Sequence, residues 1–548
     1  MSTLAPRATR GPAARRLDAR PGRAVAGLAA RSVRRGATVL VVAAAAMSAV
    51  VAFTYESVVG GAPGGAASLA VLAQNPAIRT LFGEPVALDT AGGFTVWRTG
   101  AALGVLTGMW ALLAATRLLR GEEDSGRWAL LVAGTLPAER ATARVLAVVT
   151  AVPVLAGAGV ALALVTAGTP VRGAVLHGAG LALTGIFFGG LGAIAAQVAG
   201  RRAAATGAAT AVLAAGLLAR MIGDGVPALG WLRWLSPFGL TAQVAPFHAD
   251  RVGPMVVLAV AALLVLAVTP ALAGRRDVGE GLVRPAGARR PRRGLLGSPE
   301  AFAMRTVLAP WAGWCTGVGA YYLLVGLLTV SLTGFLTANA AFADLAAGAG
   351  FAGLDTARGY AATLFALLAM PVGGFAAVRI GALAADEAAR RLPLLLAGPL
   401  TRTRLLLGHG AVTAVAAVLL SGAAGLAFWA GAALVDAPLG PGEAVAGALN
   451  TVPVSLLGLG AAVLALGWSP RLVVAAGSIP GVGGFLWLVI SQSIDAPRWV
   501  TTVSPFAHLA AVPAAPAAVT ATTVMLLVAA CLAGLGVVGY RRRDLRPA

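Results

Sequence analysis

The residues of this sequence that could do chemistry are few, and the most suggestive come in matched sets. Two acidic groups interrupt otherwise arginine-dominated polar segments: Glu122, Glu123 and Asp124, and again Asp386 and Glu387. An arginine follows each group at the same spacing, Arg127 and Arg391, and a leucine-rich stretch comes next. Carboxylates beside guanidiniums can pair with each other, dock a partner, or move protons if a pocket encloses them. The remaining candidates stand alone. His177, His248, His409 and His508 have no cysteine or acidic cluster beside them, so no metal site or activated nucleophile is indicated. Cys315 and Cys531 lie inside apolar runs and read as small packing residues, not as a disulfide or metal ligands.

The elements that hold these residues follow from composition. Of 548 residues, 58% are hydrophobic and 11% charged, and the mean hydropathy is +0.84. A soluble chain of this length needs more charge to cover its surface, so the sequence implies an all-α polytopic membrane protein. Runs long enough to cross a bilayer, about 20 residues each, fall near 37–55, 99–116, 145–167, 175–199, 203–221 and 254–273. A second set falls near 311–336, 360–378, 405–434, 444–467, 472–490 and 517–539. That makes about twelve transmembrane helices. Pro153, Pro371, Pro453 and Pro480 lie within these runs, where membrane helices tolerate proline.

The formal charge of +21 is carried by arginine, with no lysine anywhere. The arginines cluster between apolar runs, which is the pattern of topology and of attraction to anionic lipid, not of nucleic-acid binding. Placing the richest clusters inside puts both termini in the cytoplasm. The expected organisation is an Arg-rich cytoplasmic tail (1–36), a first six-helix repeat (37–274), a cytoplasmic linker (275–305) and a second six-helix repeat with a basic tail (306–548).

The halves repeat in sequence. Glu122-Glu123, Arg127 and Leu130-Leu131-Val132-Ala133-Gly134 align without gaps on Asp386-Glu387, Arg391 and Leu394-Leu395-Leu396-Ala397-Gly398. Ser236-Pro237-Phe238 recurs as Ser504-Pro505-Phe506, and each half closes on an arginine cluster, Arg275-Arg276 and Arg541-Arg542-Arg543. An even number of spans per half makes such a repeat parallel.

The pattern Glu-Glu-x-x-Gly-Arg-x-x-Leu-Leu-x-Ala-Gly after the second span resembles the ABC-2 class of exporter permeases. The segments Asn75-Pro76-Ala77, Gly92-Gly93-Phe94 and Trp97-Arg98-Thr99-Gly100 are similar to its fused, duplicated subgroup of polyketide-antibiotic (tetronasin-type) exporters. The resemblance implies a multi-pass protein of the bacterial inner membrane, itself no enzyme, that moves a hydrophobic antibiotic or other amphiphile outward. It makes the acidic segments coupling helices that dock on a separate ATPase, in two copies, through Glu122, Glu123 and Arg127 and through Asp386, Glu387 and Arg391. It also places short re-entrant helices at Trp231 to Phe247 and Trp499 to Pro513. Reversal of both Glu122 and Glu123 to arginine is then expected to abolish transport and leave insertion intact. The second segment departs from the pattern, with Arg390 in place of Gly126. The missing engine has independent support, because a Walker A loop needs a lysine and this chain has none. ATP would therefore be bound by the partner subunit, and no cofactor by this chain.

A proton-coupled secondary transporter of the major facilitator type is the main rival. It needs a titratable group within a span, and no Asp or Glu falls near the middle of an expected run. His177 and His409 are expected at span ends as interfacial polar residues. The Gly185-x-x-x-Gly189 pattern reads as chance in a chain with 72 glycines.

Overall fold

A computed structural model of the chain describes residues 12–56, 75–283, 294–339, 353–389, 391–392, 396–493 and 496–543. The regular elements among the described residues are helices, without strands, and 12 of the helices are long and apolar enough to cross a membrane. Contacts divide the chain into two units, Met1–Ala288 and Arg289–Ala548.

In unit 1 the main helices are α1 (Pro12–Phe53), α2 (Pro76–Phe82), α3 (Ala91–Thr116), α4 (Arg127–Val132), α5 (Ala138–Thr166), α6 (Val171–Val198), α7 (Arg202–Gly225), α8 (Pro237–Gln243) and α9 (Val252–Ala273). Helix α1 runs without a break through the segment expected as a separate tail. At 1.5 Å per residue its 42 residues span roughly 63 Å, about twice the hydrocarbon thickness of a bilayer. Its alanine and arginine content explains the continuity, since the single Gly36 at the expected boundary costs only about 1 kcal/mol against strong helix formers on both sides. Val25, Ala29, Val33 and Leu40 make its buried stripe, while Arg23, Arg31, Arg34 and Arg35 stay exposed. Val25, Ala29 and Val33 pack with Leu118, Leu119, Trp128 and Leu136, next to the first acidic segment, and Leu40 packs with Val152 and Ala156.

Unit 2 contains α10 (Pro299–Leu327), α11 (Thr329–Ala338), α12 (Ala357–Ala388), α13 (Arg402–Ala433), α14 (Pro441–Leu449), α15 (Val452–Trp468), α16 (Val473–Ser478), α17 (Gly484–Ser493) and α18 (Val519–Arg542). Within each unit the first long helix packs on the third, the second on the fourth, and the fourth on the last: α1 on α5, α3 on α6 and α6 on α9, then α10 on α13, α12 on α15 and α15 on α18. The helices that carry the two acidic segments begin alike. Thr90 caps α3 by accepting from the Gly93 amide at 3.1 Å, and Thr356 caps α12 by accepting from the Gly359 amide at 3.1 Å.

Small residues set the helix spacing, as expected where lipid removes the hydrophobic drive between helices. Helices α5 and α6 cross backbone to backbone at Gly157 and Gly178, where a Cβ on either would collide with the other's carbonyl oxygen. The Gly185-x-x-x-Gly189 pattern is not chance. A Cβ on Gly185 would fall 2.6 Å from Pro153, and one on Gly189 would fall 3.3 Å from Ala111 and Val149. Gly157→Val is therefore expected to cost about 1–3 kcal/mol through overpacking. The readout is a lower midpoint for thermal unfolding of the detergent-solubilised chain, with Gly207→Val as control because nothing lies within 4 Å of Gly207.

Candidate functional site

The first acidic segment is not a loop. Helix α3 passes through a π-helical turn, Arg117–Gly121, straight into Glu122–Asp124. Such single π turns are frequent at functional sites. The chain then reverses at Gly126, whose φ of +78° is left-handed, and α4 begins. The φ value explains the glycine, since no atom crowds its missing Cβ.

This geometry divides the predicted residues into two kinds. Glu122 and Arg127 form a forked pair at the surface, Nε to Oε2 at 2.6 Å and Nη2 to Oε1 at 3.0 Å. Arg127 is mostly exposed, and its bond to Glu122 raises its guanidinium above the ordinary arginine value. Glu123 is buried. Its carboxylate accepts from Arg276 at 2.6 and 2.7 Å, from Arg120 at 3.1 Å and from the Gly279 amide at 2.6 Å. Arg120, 1% exposed, also donates to the Gly200, Gly279 and Glu280 carbonyls at 2.6, 3.1 and 2.9 Å. Asp124 accepts from the Arg202 amide at 2.8 Å. The segment is thereby tied to the α6–α7 turn and to the chain leaving α9.

Unit 2 makes the same division. Asp386 pairs with Arg391 at the surface at 2.9 Å. Glu387 is buried and binds Arg543, with both carboxylate oxygens 2.8 Å from a guanidinium nitrogen. Arg276 follows the last helix of unit 1 and Arg543 the last helix of unit 2, so each buried acid holds its segment to the exit of that helix. Unit 2 has Ala384 where Arg120 would align, and its anchor is correspondingly smaller. Arg390, Leu394 and Leu395 lie outside the described residues.

The sequence missed Arg120, Arg276 and Arg543, treating the latter two as topology markers. Their signal was present. An arginine just beyond the last span lies 153 residues from Glu123 in one half and 156 from Glu387 in the other.

The Ser-Pro-Phe elements are also built alike. Ser236 Oγ donates to the Gly216 carbonyl at 2.6 Å and accepts from the Phe238 amide at 3.2 Å. Ser504 Oγ donates to the Gly484 carbonyl at 2.8 Å and accepts from the Phe506 amide at 3.2 Å. Both serines are buried. They begin short helices, Pro237–Gln243 and Pro505–His508, within the two segments expected to re-enter. Ser236→Ala and Ser504→Ala are each expected to cost about 0.5–2 kcal/mol, read as parallel drops in thermal midpoint.

At the opposite end of unit 1, helix α7 extends past its expected limit to Gly225 and includes a buried ion pair. Arg220 Nε lies 2.6 Å from Asp224 Oδ2, with both side chains at most 5% exposed. Arg220 also donates to the Leu81 and Phe82 carbonyls at 3.3 and 2.6 Å. Glu84 bonds Arg233 at 2.9 Å. Asp224 lies in the last turn of α7, beyond the limit expected at 221 where the alanine-rich helix gives no hydropathy edge, and so not near the middle of a span. His177 and His409 lie near the N-terminal ends of their helices, close to where span-end residues were expected. Both are buried inside helices α6 and α13, and His409 Nδ1 lies 3.0 Å from the Leu405 carbonyl. Among the described residues no group of three His, Cys, Asp or Glu is placed to hold a metal.

Twelve apolar helices, packed through small residues with their ion pairs at helix ends, define a multi-pass cell-membrane protein. Known proteins narrow the class to a permease. A family model described as "Multidrug efflux system permease Rv1217c, C-terminal domain" matches residues 296–541. The multidrug efflux system permease protein Rv1217c of Mycobacterium tuberculosis is 30% identical over 491 residues, covering 88% of this chain and 87% of its own length. The chain belongs to this family of multidrug efflux permeases.

Proposed function

We propose that the chain is the membrane-spanning subunit of an ATP-binding-cassette exporter of the ABC-2 class, close to the tetronasin-type subgroup. It moves a hydrophobic antibiotic or related amphiphile out of the cell, driven by a separate ATPase that docks in two copies. Both termini and both acidic segments then face the cytoplasm. The observation that carries this reading is the twice-built acidic segment, an exposed acid–arginine pair beside a buried acid–arginine anchor. A passive loop has no need of an anchor to the last span of its own unit. A docking element does, because force applied at Glu122–Arg127 or Asp386–Arg391 passes through Glu123 or Glu387 into that span. The related permease's name as part of an efflux system supports the same direction of transport.

The proton-coupled reading gains Asp224 as a buried acid, but Arg220 already neutralises it in the last turn of its helix, and that reading gives the duplicated segments no task. Everted membrane vesicles discriminate the two. Accumulation of a fluorescent amphiphile is expected to need ATP, to stop with vanadate and to survive an uncoupler. Accumulation that an uncoupler collapses and ATP depletion leaves unchanged overturns the exporter reading.

A further inference from the structure

The end of unit 1 opposite the acidic segment contains a cavity of about 70 Å³, lined in part by Phe82, Trp97, His177, Arg220 and Phe238. A buried water needs roughly 10–15 Å³ measured this way, so the space holds several waters, or a carboxylate with its first carbons. Its polar groups are not fully used. His177 is 7% exposed, and its Nε2 has no hydrogen-bond partner. A neutral imidazole presents one donor and one acceptor, and burying either without a partner is costly. A guanidinium has five N–H donors. Those of Arg220 bind Asp224, the Leu81 carbonyl and the Phe82 carbonyl, which leaves further donors at the cavity edge. The surrounding charges do not balance either. Among the described residues Arg79, Arg220 and Arg233 pair with Glu84 and Asp224, three positive charges against two negative. Trp97 has spent its indole N–H on the Gly83 carbonyl, so it offers the cavity an apolar face.

We propose that this cavity is a binding site for the anionic oxygen group of an amphipathic molecule, held by His177 and Arg220, with its first carbons against Trp97, Phe82 and Phe238. The site deepens the exporter reading and takes its purpose from it, because it makes acidic amphiphiles the favoured cargo. Unit 2 lacks the matching arginine: Leu488 stands 268 residues beyond Arg220, the offset that relates Ser236 to Ser504. The two units therefore share their acidic segments but not this site.

The test needs neither ATP nor a partner. The full chain in phosphatidylcholine nanodiscs is titrated with radiolabelled octanoate against protein-free discs, then competed with octanoate, octylamine and octanol. The expected result is saturable binding, with octanoate displacing the label at least ten-fold better than either competitor. His177→Phe, which keeps a ring but removes the nitrogens, and Ala101→Trp, which fills the space from α3, should each weaken binding ten-fold or more. No saturable binding, equal displacement by all three head groups, or undiminished binding in both variants overturns the proposal. The head-group comparison on the parent chain decides even if a variant fails to fold. A chain that binds no octanoate yet exports other amphiphiles with ATP loses the site and keeps the exporter reading. One that binds octanoate but transports nothing with ATP does the reverse.

Discussion

Glu123→Ala is expected to destabilise unit 1 by about 3–5 kcal/mol, because it leaves the buried Arg276 guanidinium without its counter-charge. Arg120 and Arg276, with side chains 1% and 7% exposed, converge on this one carboxylate. Arg120 retains its carbonyl acceptors and the Asp124 carboxylate at 3.3 Å, so the damage centres on Arg276, which keeps only neutral acceptors, and on the freed Gly279 amide. The measurement is the fraction of monodisperse chain in detergent and its thermal midpoint. Glu122→Ala, one residue away, should move the midpoint little, since exposed pairs contribute about 0–1 kcal/mol. Transport separates the two differently: Glu122→Arg is expected to insert and fold but not to export, whereas Glu123→Arg fails earlier, at folding. Reversing both acids together therefore confounds stability with docking, and the single variants are required. Equal midpoints for the Glu122 and Glu123 variants would contradict the division into surface pair and buried anchor.

Asp224→Ala carries the second large effect. With Asp224 gone, Arg220 remains 4% exposed beside two carbonyls and no close carboxylate. Removal of one member of such a pair costs about 3–5 kcal/mol, while replacement of both by apolar residues of similar volume is often neutral. Asp224→Leu paired with Arg220→Leu is thus expected to unfold at a higher temperature than Asp224→Ala alone. The double change also frees the Leu81 and Phe82 carbonyls, so recovery should be partial. A double variant less stable than both single variants would show that the Arg220–carbonyl bonds matter more than the ion pair.

These two sites mark how far the sequence could be read. Span number was legible because apolar runs of about 20 residues have few alternatives in a chain with 11% charge. The acidic segments were legible because carboxylates are rare against an arginine background and recur at a fixed offset. What the segments do internally was not. Glu122 and Glu123 are adjacent and identical, and only the three-dimensional course of the chain after the π turn at Arg117–Gly121 shows that one pairs at the surface and the other meets Arg276. Arg276 belongs to a basic cluster that topology alone explains, so only the recurrence of an arginine at nearly the same separation in the other half, Arg543, singles it out. The Arg220–Asp224 pair was hidden for another reason. Hydropathy averages over a window, and the alanines and glycines of α7 blur the end of the run where both charges sit.

The central claim is that the two acidic segments grip a separate ATPase. Its most direct test is affinity purification of the chain from native membranes in mild detergent, with quantitative mass spectrometry of the complex, for the parent and for Glu122→Arg combined with Asp386→Arg. The predicted result is a P-loop ATPase at about two copies per chain, lost in the double variant while the chain itself stays folded and monodisperse. Recovery of the folded parent chain without an ATPase, or an ATPase retained undiminished by the double variant, would contradict it.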